Sequence, residues 1–419
     1  MNKNKLKVCL LNDSFPPTID GVANTVVNYA NIIKQHHGSP IVLTPKYPNV
    51  TDNYPYPVIR YPSLNTQKML GYRAGYPFSN KTFHRVEKQK IDIIHSHCPF
   101  VSGMVSRSLQ RICNVPLVFT YHTKFDIELK KLVGSKLLRN TATKLIVDNI
   151  SACDEVWVVS EGAGKNLRSL GYKGDYIIME NGVDFPVGKS DASKIDSVIK
   201  KYKLNPNVTR FFFAGRMRWY KGIDIILKSL KCLKDMNYNF QMVFAGDGLD
   251  FADIKKMTND LGLVDKCIFT GAITDREELR ALFSACDLFL FPSLYDTNGI
   301  VVREAAACAI PSILISDSCA AEGITDMETG FLIDNSVKSM TAKLETLLKN
   351  PEYMTGVGEI AQNKIYLSWE DSVAKAVERY NFLIENYKSK TFKHTGQGSD
   401  KFYNFVDSMY DVRSKFYKN

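Results

Sequence analysis

The sequence predicts an α/β fold made of two successive doubly wound domains, and three observations carry the prediction. At 419 residues the chain is long for a single hydrophobic core. Short apolar runs recur along it, each ended by glycine, proline or a polar loop and followed by apolar residues at helical spacing. The series then begins afresh near residue 210, after a polar stretch at 187–207.

Bulk properties narrow the class. Hydrophobic content of 45% and charged content of 23% are ordinary for a globular protein. A net charge of +10, from 54 Lys and Arg against 44 Asp and Glu, favours anionic partners: nucleotides, nucleic acid or an acidic membrane surface. The nine cysteines (Cys9, Cys98, Cys113, Cys153, Cys232, Cys267, Cys286, Cys308 and Cys319) are odd in number and none has C-x-x-C spacing. They read as small buried residues of a reduced cytosolic chain rather than disulfides or zinc ligands. The apolar run in MNKNKLKVCLLNDSF is too short for a signal peptide. No window reaches the ~18 apolar residues that span a bilayer.

In order, LKVCLL (6–11) is a strand, NDSFPPTIDG a loop, 22–33 a helix and 41–43 the next strand. Gly21 stands before the helix, either as a turn glycine or where backbone approaches a phosphate. IDIIHSHCPFVSG (91–103) is a strand running into His95, His97 and Pro99, and PLVFTYHTKF (116–125) ends at His122 and Thr123. Histidines on two strand-end loops face one crevice at the carboxyl edge of a parallel sheet, where they bond sugar hydroxyls or shuttle protons. No third ligand lies at usable spacing, so no metal is expected. VWVVS (156–160) and DYIIMENGVD (175–184) are further strands.

The second domain opens with strand 211–214, then Gly215-Arg216, and a helix from near Gly222. Arg216 and Lys221 flank that loop; their heads can converge on a diphosphate or stay solvated. QMVFAGDG (241–248) and KCIFTGAI (266–273) are strands with glycine turns, and 275–285 is a helix. Strand 288–291 leads through a polar turn to a helix at 300–309 and a strand at 312–315. The helix start at Gly299 is a ready anion site, with Asp296 before it and Glu304 one turn inside. Two carboxylates beside an anion site suit hydroxyls attached to the anion. A phosphate with polyols on both sides is a nucleotide sugar.

Those residues resemble family 4 retaining glycosyltransferases of the GT-B fold. The pattern of an acid, seven residues and a second acid falls on Asp296 and Glu304, with Asp in place of the usual Glu and Asn298 where an aromatic is usual. G-R-x4-K-G (215–222) and SFPPTIDGVANTVV (14–27) are shared with the family, and AAEGITDMETGFLID (320–334) resembles its domain-closing loop and hairpin. YRAGYPF, HSHCPFVSG and TYHTKF look most like glycosyltransferases that glucosylate diacylglycerol at the inner membrane face. The resemblance implies two Rossmann-like domains across a cleft. Their expected limits are 1–186 on the acceptor side and 187–368 on the donor side, then a helix at 369–387 crossing back and a basic extension at 388–419.

It further implies the roles. Gly21, Arg216, Lys221, Gly299, Ile300 and Val301 hold the donor diphosphate, and Glu304 the ribose. His97, Asp296, Thr297 and Asn298 meet the sugar, with His97 and Asp296 at the chemistry. His122, Arg73, Lys124, Lys130 and Lys131 serve the acceptor or an anionic membrane surface, 124–146 reading as a helix with one basic and one apolar face. The expected activity is metal-independent transfer, with retention, from UDP-glucose or UDP-galactose to a membrane lipid such as diacylglycerol. It needs no cofactor and no nucleic acid, in a cytoplasmic protein peripheral to the membrane. Alternatives are transfer to a surface polysaccharide or oligosaccharide precursor, a GT-B sugar-nucleotide epimerase, and a non-enzymatic basic membrane- or nucleic-acid-binding protein.

Overall fold

The computed structural model describes residues 5–18, 20–66, 73–125, 129 and 134–388. Contacts divide the chain into two units, Met1–Asn181 with Trp369–Asn419, and Gly182–Ser368. The sequence places the change of domain near 186, beyond the NGVD turn; in the structure it falls inside that turn.

The first unit is built on a seven-stranded sheet ordered β3-β2-β1-β6-β7-β8-β9. Its strands are β1 (Leu6–Leu11), β2 (Gly38–Pro45), β3 (Val58–Tyr61), β6 (Ile93–Ser96), β7 (Leu117–Tyr121), β8 (Glu155–Val158) and β9 (Ile177–Ile178), all parallel. A separate antiparallel pair joins β4 (Ser63–Leu64) to β5 (Ala74–Gly75). Parallel strands are covered on both faces, which explains why β1 and β7 read as mostly apolar runs. Helices α1 (Gly21–Ile32), α2 (Asn80–Glu87), α3 (Val101–Cys113), α4 (Lys136–Ser151) and α5 (Glu161–Ser169) connect them.

The second unit carries a six-stranded, all-parallel sheet ordered β12-β11-β10-β13-β14-β15. The strands are β10 (Thr209–Ala214), β11 (Phe240–Ala245), β12 (Cys267–Gly271), β13 (Leu288–Phe291), β14 (Ser312–Ile315) and β15 (Phe331–Ile333). Its helices are α6 (Ala192–Tyr202), α7 (Ile223–Asp235), α8 (Phe251–Asp260), α9 (Arg276–Ser284), α10 (Ile300–Ala307), α11 (Val337–Lys349) and α12 (Pro351–Ile365). Phe212, Phe283 and Phe289 anchor this core, with the Phe212 and Phe283 rings edge-to-face at 4.7 Å. Burying each such side chain contributes about 2 kcal/mol. From Trp369 the chain belongs again to the first unit, as α13 (Trp369–Lys388), whose Trp369, Val373, Ala376, Tyr380 and Leu383 pack with Tyr29 and Trp157.

Both strand orders reverse direction beside the first strand of the unit, between β1 and β6 and between β10 and β13. Loops at the carboxyl ends of those four strands border the crevices where such sheets take ligands.

Several expectations need correction. β15 runs parallel to β14, so 320–334 closes the sheet without a hairpin. α10 stops at Ala307, two residues early, because Ala309 turns left-handed at φ 57° ahead of Pro311. His95 belongs to the strand itself and is fully buried, not a loop residue facing a crevice. The helix expected across 124–146 is described only from Lys136. Lys130, Lys131 and the extension beyond 388 lie outside the described residues.

Candidate active site

In the second unit, the loops after β10 and β13 bring their chemistry together. The Lys221 ammonium lies 2.5 Å from Asp296 Oδ1, and Ser293 Oγ donates to Oδ2 at 2.5 Å. Lys221 is largely enclosed, its Nζ 5.2 Å above the Phe291 ring. Gly222 explains how the loops meet. Its φ is 75°, and a Cβ there would stand 2.0 Å from the Pro292 carbonyl oxygen. Arg216 is exposed in the same loop. The cation and acid expected at opposite ends of one ligand therefore pair directly in this structure.

Gly299 caps α10 at φ 62°, and no side chain bonds to the helix start. A Cβ on Gly299 would come 2.8 Å from Ala320 Cβ, which is the close approach its position in the sequence predicts. The amides of Ile300 and Val301 open this helix, while Thr297 and Asn298 form the loop before it and are engaged by neighbours.

Glu304 is 5% exposed, inside α10. Its Oε1 accepts from Arg276 at 2.5 Å, and Arg276 Nε also donates to Asp184 at 2.9 Å. Burial raises the Glu304 carboxyl above the ordinary range, and the Arg276 charge offsets part of that rise. Arg276 stacks over Phe185 at 4.4 Å, so the NGVD turn, the start of α9 and the middle of α10 meet at one guanidinium.

The first unit's histidines form a stack. His97 Nδ1 lies 2.9 Å from His122 Nε2, so one hydrogen is shared between them. His95 lies face-near to His97, ring centroids 3.9 Å apart, with its own nitrogens on Tyr380 Oη (2.5 Å) and Thr120 Oγ1 (2.6 Å). The Nε2 of His97 is buried and has no hydrogen-bond partner. Burial, with the neighbouring rings adding to it, holds His95 and His97 well below the usual imidazole range; burial alone brings His122 down to about 3. All three are therefore neutral at pH 7.

Two residues take narrower parts than expected. The Asp20 carboxylate accepts from Val22 and Ala23 at 2.9 and 2.8 Å, filling the start of α1 and opposing a phosphate there. Gly21 is left as open backbone, with no atom within 4 Å of where a Cβ would stand. Arg73 is engaged within the first unit, its Nε donating to the Lys46 carbonyl after β2 and to Ser63 Oγ in β4, both at 3.0 Å. Lys124 is half-buried and engaged by neighbours.

Family models match both halves of the chain: Glycosyltransferase Family 4 over residues 19–185 and Glycosyl transferases group 1 over residues 194–364. The chain belongs to glycosyltransferase family 4. It is a glycosyltransferase, and its relatives include glycolipid synthases. The alpha-monoglucosyldiacylglycerol synthase of Streptococcus pneumoniae is 22% identical, over 83% of this chain and 79% of that protein. The enzyme of the same description from Acholeplasma laidlawii is 23% identical, over 93% of this chain and 100% of its own. The Anabaena protein HepE, crystallised with UDP-glucose, superposes with a TM-score of 0.70 at 17% identity, over 91% of this chain and 100% of that one. The fold is thus GT-B.

Within this family member, sequence reasoning passed over Ser293, Arg276, Asp184 and Tyr380. Arg276 carried one available signal: an arginine in the first turn of a helix is out of place against the helix dipole unless a carboxylate holds it. Among the described residues no group of three or more His, Cys, Asp or Glu is placed to hold a metal ion, and no helix is long and apolar enough to cross a membrane.

Proposed function

We propose that the protein transfers a hexose, with retention, from UDP-glucose or UDP-galactose to a membrane lipid such as diacylglycerol. The observation that carries this reading is the Lys221–Asp296 pair beside the uncapped start of α10. Lys221 and Arg216 neutralise the diphosphate without a metal, and the amides of Gly299, Ile300 and Val301 bind its oxygens. Asp296 turns to the sugar once Lys221 engages phosphate, and Thr297 and Asn298 line its approach. Glu304 accepts the ribose hydroxyls through the oxygen that Arg276 leaves free. In the first unit the hydrogen-bonded His97–His122 pair serves the donor sugar and the acceptor, the His97 ring 2% and the His122 ring 8% exposed. Gly21 admits backbone to the donor. No side chain serves as nucleophile; the acceptor oxygen attacks as the diphosphate leaves and passes its proton to it.

Helix α4 supplies a surface for the lipid. Leu137, Leu138 and Leu145 are 75%, 61% and 60% exposed, and at helical spacing they share one face with Thr141. Lys136 and Lys144 stand beside that face. An apolar stripe edged with cations fits the interface of an anionic bilayer. The test of activity is incubation with UDP- and GDP-hexoses and diacylglycerol vesicles, with mass and anomeric configuration of the product read out. A glycolipid of inverted configuration, transfer only to soluble glycans, or turnover of donor without acceptor would each overturn part of the reading. Leu137→Ser with Leu145→Ser is expected to cut sedimentation with anionic vesicles about tenfold; unchanged sedimentation removes α4 from the account.

A further inference from the structure

Tyr380 sits on α13, 285 residues from His95 in sequence, and bonds its Nδ1. Its position is fixed from several sides. Its ring stacks on Trp157 at 5.4 Å and 16°. The preceding residue, Arg379, grips both oxygens of Glu155, its Nε at 2.8 and 2.7 Å. About two turns upstream, Ser372 Oγ donates to the Glu180 carbonyl at 2.6 Å. A side chain this constrained sets the orientation of the ring it bonds, rather than following it.

His95 has no freedom left either. Tyr380 and Thr120 hold its two nitrogens, and Tyr29 meets it edge-on at 5.5 Å. Tyr29 meets His97 in the same way, also at 5.5 Å. His97 therefore lies on a floor, His95, whose plane is set by hydroxyls from two elements. His97 in turn presents Nδ1 to His122. Neither His95 nor Tyr380 reaches solvent, so neither touches substrate.

We propose that Tyr380 is a positioning residue for the His97–His122 pair, acting through His95. This rests on the reading of that pair as the sugar-facing group of a glycosyltransferase. The hydroxyl, with that of Thr120, fixes the tilt of the His95 ring, and that tilt sets the angle at which His97 offers Nδ1 to His122. A pair held a few degrees out of line still binds donor but meets the transition state poorly.

The experiment is Tyr380→Phe, which keeps the ring and removes one oxygen, with Thr120→Val as a second variant removing the other hydroxyl on His95. Steady-state transfer and the 15N resonances of the histidine rings are measured with and without UDP-glucose. The expected result is a kcat lowered about tenfold at unchanged donor KM, together with shifted His97 and His122 ring nitrogens, in both variants. A kcat within twofold of the parent in the folded variants overturns the proposal, as do His97 and His122 resonances that stay in place. Should UDP-glucose leave the histidine resonances of the parent protein unmoved, it is the assignment of the pair to the sugar that fails.

Discussion

Asp296→Asn is expected to move two measurements in opposite directions. In the resting protein Asp296 competes with any phosphate for Lys221, at 2.5 Å and with side-chain exposures of 20% and 10%. A well-buried hydrogen bond between charged groups is worth about 1.5–3 kcal/mol net, while exposed ion pairs are worth about 0–1 kcal/mol. The partial exposure places this pair near 1 kcal/mol by that scale. Asparagine keeps the shape and an acceptor for Ser293 but removes the charge, so Lys221 no longer gives up a carboxylate when diphosphate arrives. UDP, which carries no sugar and loses nothing from Asp296, should therefore bind about fivefold more tightly, since ~1.4 kcal/mol is tenfold. Transfer from UDP-glucose should fall at least about a hundredfold, because the sugar contact made only with the intact donor is gone. Isothermal titration with UDP and a product assay on the same preparation read both. Weaker UDP binding would mean that Asp296 supports the diphosphate rather than competing for its cation; near-normal transfer would mean that it does not meet the sugar.

Other expectations follow from the same geometry. Glu304→Gln retains an acceptor for Arg276 but weakens the hold on ribose, so donor KM should rise about tenfold while the denaturant midpoint stays near that of the parent. Arg276→Ala leaves the buried Glu304 carboxylate without its partner; because the Arg276 side chain is 43% exposed, the cost is about 1–2 kcal/mol, below the ~3–5 kcal/mol of a fully buried pair, and urea unfolding of the second unit should register it. The first unit should be acid-labile. His95, His97 and His122 titrate lower folded than unfolded, so the unfolded chain binds more protons below about pH 6.5. Stability is then lost as pH falls from there toward the folded values, by about 1.4 kcal/mol per pH unit for each ring. A pH-invariant midpoint between pH 7 and 5 would refute the buried neutral stack.

The sequence discloses what is written locally and conceals what is joined at a distance. β13 and β14 were legible to the residue, since a strand covered on both faces is a continuous apolar run bounded by turn residues. Lys221, Asp296 and Glu304 stood out because each sits beside a glycine loop or helix start. Their pairings did not: Arg276 reaches Asp184 across 92 residues and Glu304 across 28, and nothing in one-dimensional spacing joins them. The same holds for His95, whose sequence context resembles that of His97 while its burial is complete. The difference lies in Tyr380 and Thr120, which a strand-end motif cannot show. β15 was misread because a short apolar run after a glycine turn looks alike whether it pairs with its neighbour parallel or antiparallel.

The contact between Gly222 and the Pro292 carbonyl has a consequence for how this enzyme can change over time. Because main chain rests on main chain there, the spacing of the two loops that carry Lys221 and Asp296 is set by the backbone. Side chains can vary within either loop while that spacing stays constant. Replacing the glycine would alter that spacing itself, and with it the reach of Lys221 to Asp296.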